Sequence, residues 1–110
     1  MRTLLLAALV LAACDSTASG PPDVGGTYRV ESASLDGDVL TAVVSYSGGC
    51  QEHTFEPRSR SAATATELWL VHDAHNDTCE AYLTETLALA VVSDGPTVLL
   101  TPSGGEIRLR

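Results

Sequence analysis

All three histidines of this 110-residue chain lie close in sequence to a cysteine. Cys50 and His53 form a C-x2-H spacing, while His72, His75 and Cys79 form H-x2-H-x3-C. Thiolate and imidazole donors suit zinc or copper, so Cys50, His53, His72, His75 and Cys79 make a candidate metal-ligand set, although the spacings match no common zinc module. The competing reading needs no cofactor. His53 then shares a strand face with Phe55 and is satisfied by a backbone carbonyl, and His72 and His75 are solvated loop residues. Asp73, His75, Asn76 and Asp77 crowd oxygen donors into the same loop. A calcium loop wants acids at alternate positions, then Gly and a distal Glu, whereas His75 holds the third position and Thr78 the sixth. An Asx-rich turn bonding its own backbone accounts for this loop more simply.

Catalytic arrangements are weaker. Ser47-Gly48-Gly49 lacks the G-x-S-x-G elbow, and no helix is expected behind it to build an oxyanion hole. Glu52 and Glu56 fall on one strand face, where a solvated surface is the commoner outcome than a glycosidase pair needing a large cleft. The chain contains no lysine. A Walker-type phosphate loop, a Schiff-base lysine and a Ser-Lys dyad are therefore excluded, and no catalytic residue is assigned.

At the start of the chain, Arg2 and the amino terminus supply positive charge, residues 4–10 a short apolar run, and Ala12-Ala13 small side chains. The run ends at Cys14, too short for the ~20 apolar residues of a membrane span. Leu11-Ala12-Ala13-Cys14 resembles a lipobox, and the chain is thereby similar to small bacterial lipoproteins; the resemblance covers residues 11–14. It implies cleavage before Cys14 and acyl chains, palmitate among them, on that residue. One acyl chain holds a protein marginally and two or three hold it stably. In lipoproteins of enteric-type envelopes an aspartate after the lipidated cysteine, here Asp15, favours the inner membrane. Other envelopes do not all follow that rule, so inner and outer membrane both stay open. With Cys14 assigned to lipid, Cys50 and Cys79 remain as an even pair in an oxidising compartment, for which a disulfide is the default.

The elements that must position these groups read mostly as strands. Residues 1–13 form the signal peptide, residues 14–26 the lipidated cysteine and a flexible Gly/Pro-rich tether, and residues 27–110 the folded domain. Tyr28 and Val30 alternate with Arg29 and Glu31; Leu40, Ala42, Val44 and Tyr46 form one face of a second run. Asp36-Gly37 between them signals a tight hairpin. A strand carrying His53 and Phe55 is expected to stop at Pro57, and residues 67–72 (ELWLVH) form another. Residues 78–90 are ambiguous. Cys79, Ala81, Leu83, Leu87, Leu89 and Val91 fit a strand face broken only by Glu85, while Asp77 and Glu80 imitate a helix capping box, so a short helix over 78–90 is the alternative. Asp94-Gly95-Pro96 marks a turn before a last hairpin over residues 97–109. The fold class is all-β, a small antiparallel sandwich or barrel of about seven strands.

Six Arg against 14 Asp and Glu give a net charge of −8, and without residues 1–13, which carry one Arg and no acid, −9. Nucleic acid is a poor partner for such a chain. The reading is a lipid-anchored protein of the bacterial cell envelope, its domain in an oxidising compartment, without a cofactor and binding an envelope protein or a glycan. Metal handling through the His/Cys set is the alternative.

Overall fold

The computed structural model describes residues 22–110; the expected signal peptide, Cys14 and the tether up to residue 21 lie outside the described residues. Seven strands follow in order: β1 (Arg29–Asp36), β2 (Val39–Gly48), β3 (Thr54–Ser61), β4 (Thr66–Asp73), β5 (Ala81–Ala90), β6 (Thr97–Leu100) and β7 (Glu106–Arg108). They form two separate sheets, β1-β2-β5 and β3-β4-β6-β7, so the architecture is a sandwich and not a closed barrel. All neighbouring strands are antiparallel except β4 and β6, which pair in parallel over three residues. The chain crosses between sheets three times, after β2, after β4 and after β5.

Alternation of apolar side chains builds the core. Leu40, Ala42, Val44 and Tyr46 turn inward from β2 and meet Leu68 and Leu70 of β4, Leu99 of β6 and Leu87 of β5. In β1 the inward parity changes: Tyr28 and Val30 point to the core, then Ala33 and Leu35 do. A register shift between Val30 and Ser32 leaves Glu31 as the extra residue, and such a bulge restores the apolar side to the core. The β1–β2 hairpin turns on Gly37 and Asp38, with only Gly37 at positive φ (61°). Glycine first in a two-residue loop is the type II′ preference, so the turn centres one residue later than the Asp36-Gly37 pair suggested.

Residues 78–90 follow the strand reading and not the helical alternative: β5 pairs with β2 without interruption from Val39↔Ala90 to Gly48↔Ala81, and ten ladder positions outweigh a local capping signal. Two expectations are corrected. Pro57 does not end β3, which runs on to Ser61, because β3 is an edge strand and a residue without N–H is tolerated there. The folded part reaches back into the expected tether: Gly26 N–H donates to His72 O and His72 N–H to Val24 O, a parallel bridge onto the end of β4.

Leu70 is fully buried at the centre of β4. Leu70→Ala is expected to cost about 2–5 kcal/mol by transfer and cavity terms. Denaturant unfolding at neutral pH checks it, with an unchanged slope indicating that only the native state is affected.

Candidate functional site

The polar residues singled out in the sequence converge where two sheet crossings pass each other. Residues 49–53 leave β2 for β3, and residues 74–80 leave β4 for β5. A Cys50–Cys79 disulfide, Cα–Cα 5.8 Å, joins the two. Beside it the Asp77 carboxylate, its side chain fully buried, accepts five hydrogen bonds. Oδ2 takes the N–H groups of Gly49 (3.0 Å), Cys50 (3.1 Å) and Gln51 (3.0 Å) and His53 Nε2 (2.8 Å), while Oδ1 takes the N–H of Cys79 (3.0 Å). Bonding to His53, followed by the backbone donors, holds the Asp77 carboxyl well below the usual carboxylate range despite its burial.

His53 continues the chain inward. Its Nδ1 lies 2.8 Å from His72 Nε2, and His72 Nδ1–H donates to Thr27 O at 3.1 Å. Both rings are buried. They sit in an aromatic stack: Tyr46 on His53 (centroids 4.4 Å), His53 on His72 (5.0 Å), and His72 on Phe55 (4.4 Å, planes 3° apart). His53 and His72 thus form a continuous hydrogen-bonded chain between two acceptors, the Asp77 carboxylate and Thr27 O. Burial, ahead of the neighbouring His53 ring, lowers the pKa of His72, which favours the neutral form of that ring.

The structure thus brings Cys50, His53, His72 and Cys79 together, but as a closed set. The two sulfurs are bonded to each other, and every ring nitrogen of His53 and His72 is committed to a protein partner. Sγ of Cys50 and Cys79 and the Asp77 carboxylate lie within 4.8 Å of one another, yet disulfide sulfurs are not thiolate ligands. His75 stands apart and exposed, donating from Nδ1 to Glu52 O at 2.7 Å, with Asp73 Oδ2 3.4 Å from its Nε2. His75 and Asn76 both adopt positive φ (53° and 60°), and Asp73 Oδ1 accepts the His75 N–H, the Asx turn expected of this loop. The metal-free reading had His53 on a backbone carbonyl and His72 solvated; instead His53 bonds Asp77 and His72, and His72 is buried with its Nδ1–H on Thr27 O.

Among the described residues a recess of about 310 Å³ opens beside this chain, with Tyr46, His72 and Asp77 on its floor and Arg29, Ser47 and Tyr82 at its rim. Burial, ahead of Glu85, pushes the Tyr46 phenol up to about 12, and burial does the same for Tyr28, so both remain protonated donors, to Glu85 Oε1 and Leu70 O respectively. Sequence reasoning missed the role of Asp77. Two signals bore on the site: His72 is in phase with Leu68 and Leu70, and the double glycine adjoins Cys50. No known protein family, curated protein or solved structure matches this chain.

Gly48 has no side chain because there is no room for one. A Cβ there would sit 2.5 Å from His53 Nε2 and 2.7 Å from Asp77 Oδ2. Gly48→Ala is expected to part the pair and destabilise the fold by about 1–3 kcal/mol, an overpacking cost read from unfolding curves. In contrast, Gly37→Ala, which meets nothing within 4 Å, bears only the strain of its positive φ.

The depressed Asp77 pKa fixes the sign of an acid dependence. A carboxyl held lower in the folded than in the unfolded chain adds stability above its ordinary value of 3.8, and that stability is lost as the pH falls through the folded value. Unfolding midpoints between neutral pH and pH 2 should therefore drop steeply below about pH 4. Asp77→Asn should lower the neutral-pH midpoint more than Asp73→Asn does and flatten the acid arm.

Proposed function

We propose that this chain is a lipid-anchored, non-catalytic binding module of a bacterial cell envelope, held to the inner or outer membrane through Cys14. The observation that carries the non-catalytic part is the closure of the Asp77–His53–His72 chain at both ends by protein groups, leaving no imidazole nitrogen directed at the recess. The Leu11-Ala12-Ala13-Cys14 sequence supports the anchor, and the Cys50–Cys79 disulfide fits a domain in an oxidising compartment. An acid-rich surface without lysine argues against nucleic acid and leaves an envelope protein or a glycan as the partner class. The recess offers Arg29, a hydroxyl and an aromatic rim to such a partner.

The anchor is tested on the full chain expressed in bacteria fed an alkyne-tagged palmitate analogue. Tagging and recovery in the membrane fraction are expected, both lost in Cys14→Ala. An untagged wild type, or a Cys14→Ala chain that keeps its tag, overturns the reading.

A further inference from the structure

The two sheets have four edges, and three are guarded. β1 carries the Glu31 bulge with Arg29 and Asp36; β3 carries Pro57 together with Glu56, Arg58 and Arg60; β7 is three residues long. Bulges, prolines, charges and shortness are the devices by which a sheet edge avoids pairing with another chain. β5 has none of the first three on its outward face. It is ten residues long, free of Pro and Gly, in unbroken register with β2, and among the described residues no backbone group of another strand pairs with its far side. Its outward side chains are Tyr82, Thr84, Thr86, Ala88 and Ala90, all neutral. Its single charge, Glu85, is turned inward; an inward charge can itself guard an edge, but here Tyr46 Oη–H donates to it at 2.8 Å and holds it within its own fold.

The strand is also self-complementary. Tyr82 and Val92 are the two most exposed large apolar side chains among the described residues, 66% and 78% accessible, and they lie at opposite ends of this strand and its extension. A two-fold axis through Leu87 would pair β5 antiparallel with a copy of itself and set Tyr82 opposite Val92, Thr84 opposite Ala90 and Thr86 opposite Ala88. On the inner face the same register sets Leu83 opposite Val91 and Glu85 opposite Leu89. From Tyr82 to Val92 no like charges meet, which matters for a chain of net charge −8; Glu80 and Asp94 fall opposite each other only beyond β5, in the flanking loops. We infer that the partner of the β5 edge is a second copy of this chain, joined through an antiparallel β5–β5 ladder into one six-stranded sheet.

The test is the protein mass of the full chain in detergent micelles by multi-angle light scattering. Three forms are compared: wild type, Thr86→Arg/Ala88→Arg and Thr86→Glu/Ala88→Glu. Residues 86 and 88 face each other across the axis, so each variant places like charges together, and both positions are exposed, so the fold is retained. Wild type is expected at twice the monomer mass and each variant at the monomer mass. An equimolar mixture of the two variants should return to twice the monomer mass, which misfolded variants would not do. A monomeric wild type, charged variants that stay dimeric, or a mixture that stays monomeric would overturn the inference. Since all forms carry the same N-terminal segment, sharing of a micelle through an anchor cannot mimic this pattern.

Discussion

Everything at the reinforced end of this sandwich depends on one buried carboxylate. When a chain leaves one sheet for the other, its loop amides lose their ladder partners and must find other acceptors. Asp77 answers for three successive amides of one crossing, Gly49, Cys50 and Gln51, from its place in the other crossing, while its second oxygen holds its own loop through Cys79. The neighbouring disulfide acts mainly on the other side of the equilibrium. Closing 29 residues restricts the unfolded chain by about 3.5 kcal/mol on the chain-entropy model but specifies little about native geometry. The carboxylate specifies that geometry, and Gly48 is what lets β2 approach closely enough for it.

A carboxylate with no exposed surface needs donors aimed at it, and the fold supplies them as backbone N–H groups and the His53 ring. That ring is held flat between Tyr46 and His72, and His72 in turn lies on Phe55. The stack also divides the core. Its middle is aliphatic, with Leu40, Leu68, Leu70 and Leu99 almost wholly buried, while its loop end is aromatic and hydrogen-bonded. Such a fully satisfied polar network favours one loop arrangement, because any shift strands a buried donor or acceptor. It also explains why two histidines can be so close without forming a site: each ring's second nitrogen is already spoken for.

Period-two alternation made the β2 face, the strand character of residues 67–72 and the final hairpin legible, since burial follows parity in a sheet with one inward face. The disulfide was legible only through the lipobox resemblance, which supplied the compartment. Less was readable where parity changes or partners are distant. The Glu31 bulge inverts the inward set of β1 and leaves no compositional mark. Residues 78–90 carry helical and strand patterns together, and only the β2 ladder decides between them. His72 was in phase with Leu68 and Leu70, so its burial could have been read. Asp77 could not be assigned from local sequence, because four of its five donors lie 24–28 residues away in a loop whose path depends on the same bonds.

The polar knot is also where the N-terminal segment meets the domain. His72 alone receives Gly26 N–H, donates its own N–H to Val24 and reaches Thr27 through its ring. The N-terminal segment is therefore fixed to the end of β4, close to the loop that the disulfide and Asp77 hold. The β5 edge lies in the other sheet, tied to this knot through residues 79 and 80, through the Gly48↔Ala81 pairing and through the Tyr46–Glu85 hydrogen bond. The outward side of β5 nonetheless faces away from these contacts, so its regular, neutral edge is built by a part of the fold that the polar knot does not cover.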